Sequence, residues 1–154
     1  MKILVLDVDG CLNGHELNQA GVCGIRPECV AQLNRVIEKT DCQLVISSAW
    51  RYLIHSGSMT VVGFERLLQT HGVNAYQRIA GITRQDANLS DKHERGKQIR
   101  DWLSGAMGVE RYAVIDDDDD EIGIPEAGHP FVKTDGKVGL TEADADRLIE
   151  LLNV

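Results

Sequence analysis

The chain has 154 residues, 43% hydrophobic and 26% charged, values that fit one soluble globular domain over 1–154 with a substantial core. The formal net charge of −8 argues against a broad basic surface that wraps nucleic acid, although a local basic site or metal-neutralised carboxylates would still accept an anionic substrate. No apolar run approaches the roughly 18 residues that span a membrane, and the N-terminal one is too short for a signal peptide, so we expect a cytoplasmic protein without membrane association.

The first element is an apolar run over residues 3–6, which predicts a buried strand. Two aspartates follow it with one residue between them, Asp7 and Asp9, and then Gly10. Side chains at i and i+2 of an extended chain point to the same side, so both carboxylates can face one cation or share one proton. Asp-Gly is also a common turn pair, and the turn interpretation of Asp9 and Gly10 stays open at this point.

The cysteines of the chain lie in its first third and contain no CxxC pair. Their spacing matches none of the usual zinc-ligand templates, although zinc stays open as an alternative. We expect reduced and mostly buried thiols at Cys11, Cys23, Cys29 and Cys42.

The next elements return the chain to the same edge of the sheet. A proline at a first helical position and apolar residues at helical spacing predict a helix over 27–39. A second buried strand is predicted over 44–46, and it ends at Ser47 and Ser48. Short connections between strand, helix and strand predict a parallel pair with a right-handed crossover. Ser47 is therefore expected at the same sheet edge as Asp7.

The remainder of the chain alternates helices and strands. The patterns predict a helix from Val61 that ends near His71 and Gly72, an apolar segment of ambiguous type over 75–82 and a helix from about Arg95. They then predict a strand over 112–115 that runs into five aspartates at 116–120, and a strand over 131–134. A last helix follows, and Thr141 and Asp144 begin it with a capping-box pattern. This order predicts an α/β fold in three layers, with an open, mostly parallel sheet and helices on both faces. Ligands of such sheets bind outside the carboxyl ends of the strands.

Three of the predicted strand ends carry the polar residues Asp7, Asp9, Ser47, Asp116 and Asp117. Four carboxylates at one edge repel each other strongly without a cation. Hard oxygen ligands of this kind select Mg²⁺, which also bridges to phosphate oxygens. The Ser47 hydroxyl, the backbone N–H groups of the loop at Ser48 and a cation near the start of the helix at Arg95 would then bind a phosphate group.

This order of motifs resembles the haloacid dehalogenase (HAD) superfamily of phosphatases over nearly the whole chain. The resemblance implies that Asp7 is the nucleophile that forms an aspartyl-phosphate. It implies that Asp9 is the general acid and base, which also lends its backbone carbonyl to the metal. It further implies that Ser47 holds the transferring phosphoryl group and that Asp116 and Asp117 are the metal-side acidic pair, acting directly or through water.

The phosphate-binding cation departs from the family pattern. Members often show Lys-Gly at the start of this helix, whereas this chain reads Arg95-Gly96-Lys97. Either Arg95 or Lys97 would neutralise the phosphoryl charge, and we favour Arg95. The alternative for Arg95 and for Lys97 is an exposed helix charge without a role in binding, and residues 118–120 are a solvated extension of the acidic pair.

Members of the superfamily differ by a cap inserted over the site. Neither the segment after the first strand nor the one after the second accommodates a full cap domain, so we expect an open site that admits large substrates. The stretch from Ser47 to Arg51 and the aspartate run also look like a small capless branch found beside RNA-repair modules, similar to the phosphatase half of polynucleotide kinase-phosphatases. This resemblance implies that Arg51 assists phosphate binding and that Trp50 either stacks on a base or is buried beside the sheet.

The sequence therefore predicts a single HAD-like hydrolase domain, a magnesium-dependent phosphomonoesterase whose substrate is a nucleotide, a nucleic-acid end or another phosphorylated small molecule, with no stable protein partner. Two alternatives lack turnover. A receiver-like module accepts phosphate on a middle-strand aspartate, where this chain has Ser47 instead. An acidic cation-binding module would need only residues 116–121 and would leave Ser47 and Arg95 without a role.

Overall fold

The computed structural model describes residues 1–14, 24–48, 50–83, 95–118 and 128–154. Its centre is a five-stranded sheet in the order β3-β2-β1-β4-β5, and all four strand pairs are parallel. The strands are β1 (Lys2–Leu6), β2 (Gln43–Ile46), β3 (Ile79–Ile82), β4 (Arg111–Asp116) and β5 (Phe131–Lys133). The predicted parallel α/β sheet is confirmed, and the ambiguous segment over 75–82 supplies an edge strand.

Helices cover both faces of this sheet. The described residues form α1 (Pro27–Thr40), α2 (Arg51–His55), α3 (Val61–Thr70), α4 (Arg95–Gly105) and α5 (Glu142–Asn153). Successive side chains of a strand point to opposite faces, so Leu4 and Leu6 pack with apolar residues of α1, α3 and α5, whereas Ile3 and Val5 pack with those of α4. The three predicted layers are therefore confirmed.

Local sequence signals explain where two helices begin. Pro27 occupies the first turn of α1, where a missing N–H costs nothing. Thr141 accepts a hydrogen bond from the backbone N–H of Asp144, and the Asp144 carboxylate accepts one from the backbone N–H of Thr141. This reciprocal pair is the predicted capping box, with Asp in place of the usual Glu or Gln.

The connections between strands contain few elements. Among the described residues, α1 alone lies between β1 and β2, and α2 and α3 lie between β2 and β3. These segments are too short to hold a full cap domain, as predicted. None of the described helices combines the length and the apolar character that a membrane span requires.

Three cysteines are free and buried, as predicted: Cys11, Cys29 and Cys42. Cys23 lies outside the described residues. Within the described part of the chain, no cysteine belongs to a group of potential metal ligands, so nothing there supports the zinc alternative.

Candidate active site

The register of the sheet brings three strand ends to one level. Leu6, the last residue of β1, pairs with Ile46 of β2 and with Ile115 of β4. The backbone N–H of Asp7 donates to the carbonyl of Ile115 (3.1 Å), and the N–H of Ser47 donates to the carbonyl of Leu6 (2.9 Å). Asp7, Ser47 and the end of β4 are therefore neighbours at the carboxyl edge, as the predicted parallel pairing requires.

Asp7 is a buried carboxylate fixed by its own backbone. The residue is 5% exposed, and its Oδ1 accepts a hydrogen bond from the N–H of Val8 at 2.9 Å. Burial raises the pKa of Asp7 well above the ordinary value of 3.8, the nearby Asp116 raises it further, and Arg95 opposes both. The position therefore needs additional positive charge to keep Asp7 ionised.

Two further aspartates complete a cluster of acids around this position. One carboxylate oxygen from each of Asp7, Asp116 and Asp117 lies within 4.8 Å of the other two. Burial raises the pKa of Asp116 to about 6, although Arg95 and the backbone N–H of Asp118 oppose this effect. A divalent cation would offset both the burial and the mutual repulsion of these oxygens. The donor set, which contains only hard oxygens, therefore fits Mg²⁺.

Arg95 supplies the positive charge that the structure itself places in the cluster. Its Nη1 lies 2.6 Å from an oxygen of Asp116 and 3.7 Å from an oxygen of Asp7. Burial lowers the pKa of the guanidinium, but the two carboxylates outweigh it and raise that pKa above its ordinary value. Lys97 is exposed on the same helix. Of the two predicted cations, Arg95 is the one in contact with Asp7.

The end of β2 presents one serine hydroxyl without a hydrogen bond. The Oγ of Ser47 is buried and has no hydrogen-bond partner among the described residues. Ser48 is fully buried, and its hydroxyl accepts a hydrogen bond from the N–H of Trp50 at 3.2 Å. Ser47 thus has an unused donor at the level of Asp7, which is what phosphate binding by this residue requires.

Arg51 begins α2 and reaches toward the end of β3. Its side chain is 3% exposed, and its Nη1 donates to the hydroxyl of Thr83 at 2.9 Å. Thr83 continues the ladder by donating its backbone N–H to Ile46 at 3.0 Å. A buried guanidinium is therefore tied to the adjacent strand end. Ala49, in the stretch that suggested this role, lies outside the described residues.

Asp9 lies in a turn, and its side chain points to partners outside the acidic cluster. Gly10 has φ of 79°, a left-handed conformation that glycine adopts without strain, so the turn at Asp9 and Gly10 is confirmed. Asn13 donates to Oδ1 of Asp9 (2.8 Å) and Trp50 donates to Oδ2 (2.9 Å). The implied metal contact of Asp9 through its backbone carbonyl stays a prediction.

Sequence reasoning missed several residues that hold these parts in place. The hydroxyl of Thr134, after β5, donates to the carbonyl of Gly10 at 2.7 Å. His129 donates from Nε2 to the carbonyl of Gly96 (2.7 Å), since a carbonyl only accepts, and its Nδ1 forms a hydrogen bond with the hydroxyl of Tyr112 (2.9 Å). This contact anchors the first turn of α4, which carries Arg95. No local sequence pattern predicts these hydrogen bonds, because the residues that form them are distant in sequence.

Asp118 follows the acidic cluster directly in sequence. Asp118 is half-buried, and its backbone N–H donates to Asp116 at 3.1 Å. At this residue the predicted solvated extension is therefore wrong, because the backbone turns back to bind the Asp116 carboxylate. Asp119, Asp120 and Glu121 lie outside the described residues.

The chain matches a known protein family over a range that includes all of the site residues described above. A family model described as "HAD domain in Swiss Army Knife RNA repair proteins" matches residues 3–145, from β1 into the first half of α5. That span contains every residue of the acidic cluster together with Ser47, Arg51 and Arg95. No curated protein matches the chain significantly.

Proposed function

Because the chain belongs to the family of HAD domains in Swiss Army Knife RNA repair proteins, we propose that it is a magnesium-dependent phosphomonoesterase that uses an aspartyl-phosphate intermediate. Family membership supports hydrolase chemistry of the phosphatase type and a link to RNA repair. The proposed substrate is a nucleotide or the terminal phosphate of a nucleic acid. One observation carries the proposal: the carboxylate of Asp7 is buried among Asp116, Asp117 and Arg95 at the carboxyl edge of the sheet.

In the first proposed step, an oxygen of Asp7 forms a bond to phosphorus while the bond from phosphorus to the leaving oxygen breaks. Asp9 gives its proton to that leaving oxygen and becomes a carboxylate. In the second step, a water oxygen forms a bond to the phosphorus of the aspartyl-phosphate and loses a proton to Asp9, while the bond from phosphorus to the Asp7 oxygen breaks. Inorganic phosphate leaves, and both aspartates return to their starting states.

The binding groups divide into two sets. Ser47, the backbone after it at Ser48, and Arg95 hold the transferring phosphoryl group, with Arg51 and Lys97 as further cations at its periphery. Asp7, Asp116, Asp117 and the backbone carbonyl of Asp9 would hold Mg²⁺. When bound, the ion neutralises negative charge on the transferring phosphoryl oxygens. The N–H of Val8 donates to Oδ1 of Asp7 and orients this carboxylate.

The charge distribution and the open site favour a phosphate at the end of a chain over a long duplex. With a formal net charge of −8, attraction to polyanions is confined to the few cations near the cluster. A site without a full cap domain also admits a substrate much larger than a nucleotide.

The three free, buried thiols among the described residues support a reducing compartment, and we place the protein in the cytoplasm.

The test is the substitution Asp7→Asn. The wild-type protein should release phosphate from p-nitrophenyl phosphate with Mg²⁺ and from a panel of nucleotides and 3′- or 5′-phosphorylated RNA and DNA oligonucleotides. Asp7→Asn should lower kcat by at least about 1,000-fold. Asp101→Asn, which changes an exposed aspartate of α4 in the same way, should leave the rate unchanged.

Three outcomes would contradict the proposal. Unchanged turnover in Asp7→Asn would remove Asp7 as the nucleophile. Stable phosphorylation of the wild type without phosphate release would favour the receiver-like alternative. Magnesium binding without hydrolysis across the whole panel would favour the cation-binding module. Urea unfolding of each variant shows whether a lost rate reflects chemistry or a lost fold.

A further inference from the structure

Both carboxylate oxygens of Asp9 accept hydrogen bonds from side chains that cannot take a proton from it. Nε1 of Trp50 is a donor only, and it lies 2.9 Å from Oδ2. The amide nitrogen of Asn13 lies 2.8 Å from Oδ1. The amide oxygen of Asn13 accepts the backbone N–H of Gly10 at 2.9 Å, which fixes the amide with its nitrogen toward Asp9.

The two donors are themselves held in place. The ring of Trp50 meets Phe64 edge to face, with centroids 6.4 Å apart and planes at 82°, and Phe64 is fully buried. The backbone N–H of Trp50 donates to the hydroxyl of Ser48. Asn13 is 1% exposed. Neither donor can follow Asp9 if that side chain moves, so the pair restricts Asp9 to one orientation.

We propose that Trp50 and Asn13 are positioning residues that orient the Asp9 carboxyl group for proton transfer to the leaving oxygen. This inference rests on the proposed function. A carboxyl group has about four lone-pair sites, of which the two donors occupy two, so Asp9 can still carry and deliver a proton. Trp50 thereby links the start of α2 to the chemistry through its contact with Asp9.

The orientation of a general acid affects the reaction rate most when the leaving group is a poor one that requires protonation. An alkoxide leaves poorly without protonation, whereas p-nitrophenolate leaves well without it. Loss of the Trp50 N–H should therefore reduce the rate on an alkyl phosphate far more than the rate on an aryl phosphate. A general loss of structure would reduce both rates alike.

The experiment uses Trp50→Phe, which keeps an aromatic ring against Phe64 and removes the N–H. With β-glycerophosphate or a 3′-phosphorylated oligonucleotide, kcat should fall about 10-fold or more, whereas with p-nitrophenyl phosphate it should fall less than about threefold. KM should be unchanged for both. Trp102→Phe, the same change at the tryptophan on the other face of the sheet, should alter neither rate.

A double-mutant cycle separates positioning of Asp9 from other effects. In an Asp9→Asn background the leaving oxygen receives no proton from this position, so Trp50→Phe should cause no further loss on the alkyl substrate. Asn13→Ala is a second variant that should show the same preference for the aryl substrate if Trp50→Phe fails to fold.

Different results would contradict the positioning role of Trp50 and Asn13 and the proposed phosphatase function. Equal losses on both substrates, no loss on either, or an undiminished effect in the Asp9→Asn background would overturn the positioning role while wild-type turnover persists. A wild-type protein that releases no phosphate, or an active Asp7→Asn variant, overturns the proposed function itself.

Discussion

Replacing Asp116 by Asn should change how the stability of the protein depends on pH in the absence of divalent metal. The folded state raises the pKa of this carboxyl from the ordinary 3.8 to about 6, mainly by burying it. Between these values the folded chain binds more protons than the unfolded chain. The free energy of unfolding therefore falls as pH rises from about 4 through about 6, and the loss persists at higher pH.

The size of this loss of stability follows from the difference between the two pKa values of Asp116. A rise from 3.8 to about 6 corresponds to about 3 kcal/mol between the two protonation states, and a side chain that is 1% exposed gains little from solvent screening. In Asp116→Asn this contribution disappears, because an amide does not titrate. Its amide group can still accept from the N–H of Asp118 and thus preserve the local backbone.

Urea unfolding in EDTA at pH 4.5 and pH 7.5 measures the effect. Between these conditions the wild type should lose about 2 kcal/mol more than Asp116→Asn, because the unfolded chain is already mostly ionised at this position at pH 4.5. Asp101→Asn should behave like the wild type because its carboxyl is exposed. Saturating Mg²⁺ should remove most of the wild-type loss, since a cation favours the ionised form. Parallel pH profiles for the wild type and Asp116→Asn in EDTA would refute the argument.

Two further predictions concern metal binding and packing. At a Mg²⁺ concentration about 100 times Kd, the free energy of unfolding of the wild type should rise by about 2.7 kcal/mol. Asp117→Asn should lose most of this gain, and an equal gain in the variant would show that Asp117 does not bind the metal. Gly81→Ala should destabilise by about 1–3 kcal/mol, because its Cβ would lie 2.5 Å from Nε1 of Trp102. Gly105→Ala, with open space around its Cβ, is the control, and equal urea midpoints would contradict the close contact at Gly81.

Much of the fold was predictable because its elements carry strong apolar patterns. The buried strands β1, β2 and β4 are short apolar runs, and α1 and α5 repeat apolar residues at helical spacing. The exceptions have physical reasons. Helix α2 has only five residues, too few to show a helical period. Strand β3 contains Gly81, which is required by the close approach of Trp102 and weakens the strand pattern.

The candidate site also contains residues whose positions the sequence predicts and contacts that it does not predict. Asp7, Ser47 and Asp116 each end or directly follow an apolar run, so their meeting at one edge follows from parallel pairing alone. The contact of Trp50 with Asp9 joins residues 41 positions apart and depends on how the chain turns after β2. The sequence predicted either base stacking or burial for Trp50, and the hydrogen bond to Asp9 had no local signal.

The chain contains two tryptophans, and they lie in different layers. Trp50 packs with the α1, α3 and α5 layer and touches the candidate site, whereas Trp102 packs with the α4 layer against Gly81. Intrinsic fluorescence therefore combines two separate optical signals. In Trp102→Phe the remaining emission comes from the indole beside Asp9, and in Trp50→Phe it comes from the opposite face. Each single-tryptophan variant thus provides a built-in spectroscopic probe of one side of the sheet.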